Sequence, residues 1–442
     1  MAVQTSELLE KIRQQFDSAP YPRIPVEDSP KDNLGLLYFH SLITPYYQRN
    51  QKVIDTKDKV ILDAGCGSGY KSLTLALANP GAKVIGVDIS EQSVKLAEQR
   101  LAYHGIENAE FRVCGVENLA SLGMSFDYIN CDELLYLFPS PAAALKSMGS
   151  VLNPEGIIRS NLHCAYQRAS LFRAQELFKT MGLMEQNPRE MEIEIATETM
   201  KALRDVVLLK ARTWDSSYED EKAEEKMLMN YLFQGDKGYT IRDMFAAFKD
   251  ADLEFVKMVN WHKWNLLDLF KEPDNLPAYW AMSLPEVSEE EKLYLFELLH
   301  PMHRLIDFWC GHPNQAQSFV PVSEWEDSDW KQAKVHLHPQ LKTPNFREEL
   351  VKSVTSLKPF AIAQFLSLNA EDLIIDSLMA HCFIPLLEQP QSMTSLVERW
   401  KQIRPLDPIT LQPTEDEQAF YLIRQFLSNL ETSGYILLER QP

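Results

Sequence analysis

Short apolar segments alternate with helical segments between residues 59 and 163. The strand-like runs are residues 60–64, 83–88, 109–114, 126–131 and 157–162. Helical periodicity lies between them, at residues 71–78, 92–103 and 142–151. Strands that alternate with helices of this length predict a parallel, doubly wound α/β sheet. Because the runs are almost wholly apolar, we expect the strands to be buried on both faces.

The alternation stops after His163, and the pattern becomes mostly helical. Helices are predicted within residues 167–234, at 240–249, at 285–300 and, separated by prolines, from 338 onwards. Strand-like runs return at residues 253–261, 304–310 and 435–439. Residues 313–334 have the pattern of a loop or linker.

The chain begins with a helical pattern at residues 4–16, followed by three prolines within residues 20–25. Proline fixes φ and extends the residue before it, so this segment is predicted to be stiff. Two interpretations stay open. Tyr21 and Arg23 form a lid over a ligand, or the prolines only join two helices.

These patterns divide the chain into five predicted segments. They are N-terminal helices with the proline-rich segment (1–57), an α/β core (58–164), a helical insertion suited to dimerisation (165–238), a return to the sheet (239–312) and a mainly helical C-terminal domain (313–442).

Composition narrows the class of protein. Of 442 residues, 45% are apolar and 24% charged, as in an ordinary globular protein. The 44 basic and 63 acidic residues give a net charge of −19, so we expect no nucleic-acid partner. The sequence contains no run of 18 apolar residues, so no membrane-spanning helix is expected. Its first residues contain no apolar signal core. Six scattered cysteines without a CxxC pair indicate reduced thiols, and therefore a cytoplasmic location.

The chemistry-bearing residues follow the predicted strands. The first strand runs into DAGCGSG, with Asp63, Gly65, Cys66, Gly67 and Gly69. Glycines let a backbone turn sharply against a ligand, and the helix that follows offers free N–H groups. The spacing differs from G-x-G-x-x-G, and the preceding acid suits a ligand with a positive ammonium group.

Three more strand ends carry polar residues. Asp88 and Ile89 end the second strand, Val116 and Glu117 follow the third, and Asn130, Asp132 and Glu133 end the fourth. An acid after the second strand suits ribose hydroxyls, and ligands of open α/β sheets bind at the carboxyl ends of strands. All these residues can therefore meet in one site. Two plainer interpretations stay open: Glu117 is a solvated loop acid, and Asp132 and Glu133 are acids that favour a helix N-terminus.

With these motifs, residues 58–163 resemble the class I S-adenosylmethionine-dependent methyltransferases. DAGCGSG resembles their first motif and VIGVD their second, and FDYINCDELLY and LNPEGII resemble later ones. The resemblance implies a seven-stranded, mostly parallel Rossmann-like sheet and S-adenosylmethionine as cofactor, with S-adenosylhomocysteine as product. It implies that Asp63 lies near the methionine amino group, that Gly65, Gly67 and Gly69 line the methionine and ribose, and that Asp88 binds the ribose. Glu117 would lie near the adenine, and Cys66, Ile89, Val116, Asn130 and Tyr21 complete the expected cofactor site.

The whole chain more weakly resembles bacterial protein methyltransferases. These include protein-lysine methyltransferases and the cyanobacterial family that methylates an asparagine of phycobiliproteins. The N-P-P-Y tetrad of many amide methyltransferases is absent, because residues 130–133 read NCDE.

We expect Asp132, Glu133 or Asn130 to orient the acceptor, and a protein substrate that is methylated on a side-chain nitrogen of asparagine or lysine. No metal is expected, because His300, His303, Cys310 and His312 lack the spacing of a zinc site. A homodimer is a further expectation. Two alternatives stay open: a small-molecule methyltransferase with an accessory domain, and a cofactor-binding regulator without catalysis.

Overall fold

A seven-stranded sheet forms the centre of the computed structural model, which describes residues 23–220, 223–368 and 373–440. The strands are β1 (Val60–Ala64), β2 (Lys83–Asp88), β3 (Ala109–Val113), β4 (Phe126–Cys131), β5 (Leu152–His163), β6 (Glu254–Met258) and β7 (Leu305–Gly311). Their spatial order is β3-β2-β1-β4-β5-β7-β6. Strand β7 runs antiparallel to both of its neighbours, and the other six strands are parallel. The predicted fold class is therefore confirmed. The helical pattern at residues 4–16 and Tyr21 lie outside the described residues.

The first helices pack around the parallel strands. They are α1 (Leu34–Phe39), α2 (Ile43–Asn50), α3 (Tyr70–Ala78), α4 (Glu91–Tyr103) and α5 (Pro141–Ser150). The last three each begin one residue earlier than the sequence pattern predicts. Serine caps fix two of these starts, because Ser90 Oγ accepts from the Ser93 N–H at 3.1 Å and Ser140 Oγ from the Ala143 N–H at 3.2 Å.

A buried ion pair joins β5 to β7. Arg159 Nε and Nη2 donate to the two carboxylate oxygens of Asp307 at 3.2 and 2.8 Å. Arg159 also contacts His40 Nε2 at 2.9 Å, just after α1. The fork geometry of arginine suits a bidentate carboxylate, so this pair fixes the relative placement of the two strands.

The insertion (residues 165–238) folds into shorter helices than its pattern predicts. They are α6 (Ala169–Thr180), α7 (Glu190–Ala202), α8 (Leu208–Thr213) and α9 (Ala223–Asn230). Gly182, at φ 82°, turns the chain after α6. Phe178, Met200 and Tyr231 belong to a hydrophobic cluster that the insertion forms by itself.

The chain then returns to the sheet through α10 (Ile241–Ala251), β6, α11 (Ala278–Ser283), α12 (Glu289–Leu299) and β7. Thr240 and Asp243 form a capping box at the start of α10. Residues of α10 and α12 pack into the same hydrophobic cluster as β4 and β5.

The C-terminal region contains more β-structure than predicted. Residues 313–334 are not only a loop, because they include α13 (Asp327–Lys331) and the start of β8 (Ala333–Leu337). Strand β8 is the centre of a three-stranded antiparallel sheet with β11 (Gln391–Ser392) and β12 (Ile436–Arg440). Buried residues alternate with half-buried ones along β8, which is the period of a strand packed on one face.

The rest of this region is mainly helical, as expected. Its other elements are α14 (Pro344–Ser356), β9 (Phe360–Ala361), β10 (Ile374–Ile375), α15 (Ser377–Ala380), α16 (Ile384–Glu388), α17 (Met393–Ile403) and α18 (Asp416–Thr432). Tyr38 of α1 is buried in the hydrophobic cluster of this C-terminal region and donates to Gly434 O at 3.2 Å. Over the described ranges, no helix has both the length and the apolarity needed to cross a membrane. The five predicted segment boundaries stay predictions.

Candidate active site

The turn between β1 and α3 brings backbone groups to the carboxyl edge of the sheet. The Gly65 and Cys66 N–H groups donate to Val87 O at 2.8 and 2.9 Å, which attaches the turn to β2. Gly65 has a φ of 81°, and a Cβ at this position would meet Leu134 Cδ2 at 2.5 Å. Only glycine fits this turn without strain.

Gly69 has a different role in the same motif. It stands just before α3 at a φ of 81°, and a Cβ here would meet Ala97 Cα of α4 at 2.6 Å. This glycine therefore allows α3 and α4 to pack closely. The Cys66 side chain is buried, and burial raises the pKa of its thiol well above the usual range.

Asp63 lies buried where β1 ends. Its Oδ1 accepts from Asn130 Nδ2 at 2.8 Å, and its Oδ2 accepts from Ser72 Oγ at 2.6 Å. Burial raises the pKa of Asp63 to about 6, against the lowering effect of these two hydrogen bonds. Asn130 Oδ1 is buried and has no hydrogen-bond partner among the described residues. A carboxylate beside an unpaired amide oxygen can accept hydrogen bonds from an ammonium group.

Asp88 ends β2 at the edge of the glycine turn. Its Oδ2 accepts from the Gly67 N–H at 3.0 Å and its Oδ1 from the Ser90 N–H at 2.9 Å. Ile89 follows it and is half-buried. The structure therefore brings the motifs of β1 and β2 together at one edge.

The segment after β3 begins a 3₁₀-helix, Val116–Leu122. Val116 is buried, whereas Glu117 is exposed and its carboxylate folds back against Gly115. Both residues lie beyond the same edge of the sheet as Asp63 and Asp88.

The two acids after β4 have different surroundings. The Asp132 side chain is 4% exposed and pairs with Lys71, and it accepts from Asn161 Nδ2 at 2.6 Å. Although burial acts to raise the pKa of Asp132, Lys71 and Arg159 hold it well below the usual range. Asp132 therefore favours the ionised carboxylate, inside a charge network with Lys71 and Arg159.

Glu133 is more accessible, with 26% of its side chain exposed. It adopts a left-handed backbone with φ 56°, and its N–H donates to Asn161 Oδ1 at 2.9 Å. Its Oε1 accepts from Arg304 Nη2 at 2.6 Å. The turn after β4 thus directs one carboxylate inward and the other outward.

Glu133 lines a cavity of about 370 Å³ between the sheet edge and the insertion. The other lining residues are Arg23, Ile24, Tyr136, His163, Glu225, Lys226, Met229, Asn230 and Arg304. The cavity is in the size range of small-ligand pockets, roughly 300–1,000 Å³.

His163, the last residue of β5, is a lining residue that the sequence motifs did not single out. Its Nδ1 contacts Asp236 Oδ1 at 2.6 Å, and its Nε2 contacts Arg304 Nη1 at 3.2 Å. The Tyr136 ring stacks on the imidazole with a centroid distance of 3.6 Å. Its position at a strand's carboxyl end is the signal that also pointed to Asp63 and Asp88.

The N-terminal segment is fastened beside the glycine turn by Arg100. This buried side chain donates to Ser68 O at 2.9 Å and to the carbonyls of Ile24 and Pro25, each at 2.6 Å. Arg23 lies 3.9 Å from Glu224 of α9. Residues 23–25 therefore run from the cofactor motif to the insertion, along the cavity that Arg23 and Ile24 line.

Comparison with known proteins agrees with this arrangement. Residues 55–234 match a family described as a methyltransferase domain. The ubiquinone biosynthesis O-methyltransferase of Neisseria meningitidis serogroup C is 33% identical over 106 residues, which are 24% of this chain and 44% of that protein. The chain thus spans less than half the length of this relative. An uncharacterized protein of Synechococcus sp. is 24% identical over 315 residues, 71% of this chain and 73% of that protein.

Solved structures extend the similarity in fold. PKMT2 from Rickettsia typhi superimposes with a TM-score of 0.59 at 15% identity and covers 91% of this chain and 74% of its own. Its complex with AdoHcy gives the same TM-score at 16% identity, covering 92% and 76%.

Residues 55–234 are therefore a class I methyltransferase domain. The cofactor of this domain is S-adenosylmethionine, as the motifs predicted. The site fits that cofactor, since Asp63 and the unpaired Asn130 Oδ1 offer acceptors for its amino group and Asp88 offers a carboxylate for its ribose. The individual roles of the predicted site residues stay predictions.

Proposed function

We propose that this protein methylates a nitrogen atom of a protein side chain, that of asparagine or lysine. The observation that carries the proposal is the double contact of Arg304. One guanidinium nitrogen donates to Glu133 at 2.6 Å and the other lies 3.2 Å from His163 Nε2. A group with two N–H bonds in the place of Arg304 can therefore donate one hydrogen bond to Glu133 and the other to His163 Nε2. A side-chain amide or neutral amine has two N–H bonds, whereas a hydroxyl has only one.

Bound S-adenosylmethionine supplies an electrophilic methyl group on a sulfonium. The residues of this chain have to hold the acceptor in line with it, and orientation of this kind can lower a barrier by several kcal/mol, up to about 7–11. We assign the orienting role to Glu133, because it lines the cavity. Asp132 is assigned a positioning role, since its carboxylate is buried and paired with Lys71.

Two features support a protein substrate. The fold similarity to PKMT2 extends over 91% of the chain, well beyond the methyltransferase domain. One wall of the cavity comes from α9 of the insertion, through Lys226 and Met229, and another from Arg23. Segments outside the core therefore surround the place where an acceptor side chain would enter.

A second candidate function is methylation of a small molecule. The curated ubiquinone biosynthesis enzymes match the core, and a cavity of about 370 Å³ has room for a small ligand. A phenolic hydroxyl would donate one hydrogen bond, to either Glu133 or His163, and would leave the other group without a partner.

Transfer of a radioactive methyl group distinguishes the candidates. The full-length protein is incubated with methyl-labelled S-adenosylmethionine and an extract of a strain that lacks the gene. Protein and small-molecule fractions are then separated and counted. We expect label in one protein band, with a mass increase of about 14 Da on an asparagine or lysine, the mass of CH₂ gained when methyl replaces hydrogen.

Glu133→Gln is the matched variant. It keeps the size of the side chain and should lower label incorporation while leaving cofactor affinity unchanged. Label in the small-molecule fraction would favour the second candidate. Cofactor binding without any label would contradict both and favour a non-catalytic regulator.

A further inference from the structure

A buried network on the insertion side of the cavity holds His163 in one orientation. The Asp236 carboxylate accepts from His163 Nδ1 at 2.6 Å and from Arg168 Nη2 at 2.9 Å. Gln175 Nε2 donates to the same carboxylate at 2.9 Å. The side chains of His163, Asp236 and Arg168 are each no more than 2% exposed.

The hydrogen bonds define the tautomer of His163. Because a carboxylate only accepts, Nδ1 carries a proton that it donates to Asp236. Arg304 only donates, so Nε2 has its lone pair directed at Arg304. The neutral imidazole therefore presents a base to the cavity, where Arg304 now covers it.

We propose that His163 is the proton acceptor of the methyl transfer, and that Asp236 is the positioning residue that fixes its orientation. This inference rests on the proposed function, since it requires a nitrogen acceptor that carries hydrogen. It assigns the insertion a part in the chemistry, because Asp236, Arg168 and Gln175 all belong to residues 165–238.

The step balances without another reactant. The acceptor nitrogen bonds to the methyl carbon, and the methyl–sulfur bond breaks with its electron pair left on sulfur. The nitrogen loses one proton to His163 Nε2, and the imidazolium that forms is stabilised by Asp236. Release of this proton to water restores the base.

Arg304 must leave before the acceptor can reach both groups. Its side chain is 43% exposed, so it can turn towards solvent. Burial, Arg168 and Arg304 lower the pKa of His163, whereas Asp236 raises it. Besides Arg168, Arg304 and Asp236, two other titratable side chains lie near the imidazole. Tyr136 stacks on the ring, and Glu133 accepts a hydrogen bond from Arg304. When Arg304 turns away, its positive charge no longer lies beside Nε2, so His163 becomes a stronger base when the acceptor arrives.

The test is the pH dependence of kcat for the full-length enzyme. The acceptor is the unmethylated protein purified from the gene-deficient strain, with saturating S-adenosylmethionine. Three proteins are compared from about pH 5.5 to 9: the wild type, His163→Asn and His300→Ala. His300 is exposed outside the cavity and serves as the control. Melting temperature and S-adenosylhomocysteine affinity report whether each variant is folded.

We expect the wild-type kcat to fall on the acid side as His163 is protonated. His163→Asn should lower kcat about 100-fold or more, which is the usual size of a general-base contribution. The same variant should also abolish the fall of kcat on the acid side. A further variant, His163→Ala, should regain part of its activity when imidazole is added, and His300→Ala should behave as wild type.

Two results would overturn the inference. A folded His163→Asn protein that keeps the acid limb and most of its kcat would exclude His163 as the base, while protein methylation would stand. A wild-type enzyme that labels no protein would refute the proposed function, and this inference with it.

Discussion

Acidification is predicted to weaken cofactor binding through Asp63. This carboxyl is buried, and its pKa is raised to about 6. An ammonium group bound beside it requires the ionised carboxylate. Above pH 6 the carboxylate is already ionised, whereas below pH 6 binding must first release a proton. Affinity is therefore full above the pKa of Asp63 and is lost as the pH falls through it.

The size of the effect follows from that pKa. At pH 5, one unit below it, about one molecule in eleven is ionised, so the dissociation constant rises about tenfold, or about 1.4 kcal/mol. Asp63→Asn keeps the shape and removes the charge. A hydrogen bond to a charged group contributes about 1.5–3 kcal/mol, so this variant should bind about 10- to 150-fold more weakly. Its affinity should not change further between pH 5 and 7.

Calorimetric titration with S-adenosylhomocysteine measures both effects. The range stays below about pH 7, because the α-amino group of the ligand itself titrates near 7.7–8.0. Asp127→Asn is the control, since Asp127 is a carboxylate of the same sheet that accepts from the Val60 N–H at 2.9 Å, away from the carboxyl edge. Equal affinity at pH 5 and 7, or an Asp63→Asn variant that binds like the wild type, would refute the reasoning.

Three further substitutions test the site and its supports. Gly65→Ala should weaken S-adenosylhomocysteine binding at least about tenfold in calorimetry. The control is Gly105→Ala: Gly105 is also at positive φ, but a Cβ added there would meet no neighbouring atom within 4 Å, so this variant should only lose about 1–2 kcal/mol of stability. Arg100→Ala removes charge-assisted bonds to three carbonyls and should lower the free energy of unfolding by about 3 kcal/mol or more; unchanged urea denaturation would contradict this role. Asp132→Asn removes the carboxylate that pairs with Lys71 and should lower stability by about 1.5–3 kcal/mol, the contribution of a hydrogen bond to a charged group, whereas Glu133→Gln should melt like the wild type and turn over more slowly; the opposite result would exchange the roles assigned to the two acids.

Local sequence patterns were enough to predict that the motifs of β1 and β2 lie at one edge of the sheet. Strands β1, β2 and β4 have the predicted bounds, because each is mostly apolar and has a polar residue within its last two positions. Parallel strands place their carboxyl ends together, so the order of strands and helices along the chain was sufficient to assign Asp63 and Asp88 to one edge.

Long-range partners could not be predicted in the same way. His163 could have been noticed as a polar residue at the end of β5. Its partners, however, lie 73 residues away at Asp236 and 141 residues away at Arg304. Neither segment has a motif that points back to β5. Different burial of Asp132 and Glu133 also depends on Lys71 and Arg304, which only the fold brings near.

The small C-terminal sheet was missed for another reason. Strand β8 does alternate, with Ala333, Val335 and Leu337 buried. However, it has only five residues and follows a polar, tryptophan-bearing stretch that resembles a loop. Its central place depends on β12, almost 100 residues later, so a local pattern could not reveal it.

The ion pair of Arg159 with Asp307 has a consequence for synthesis on the ribosome. About 140 residues separate the end of β5 from the start of β7. At roughly 5–20 residues per second, β5 waits about 7–30 s for its neighbour while its edge is open. An inward-pointing charge on an open edge discourages pairing with foreign strands. Arg159 therefore protects the nascent chain against aggregation until β7 arrives with the carboxylate that neutralises it.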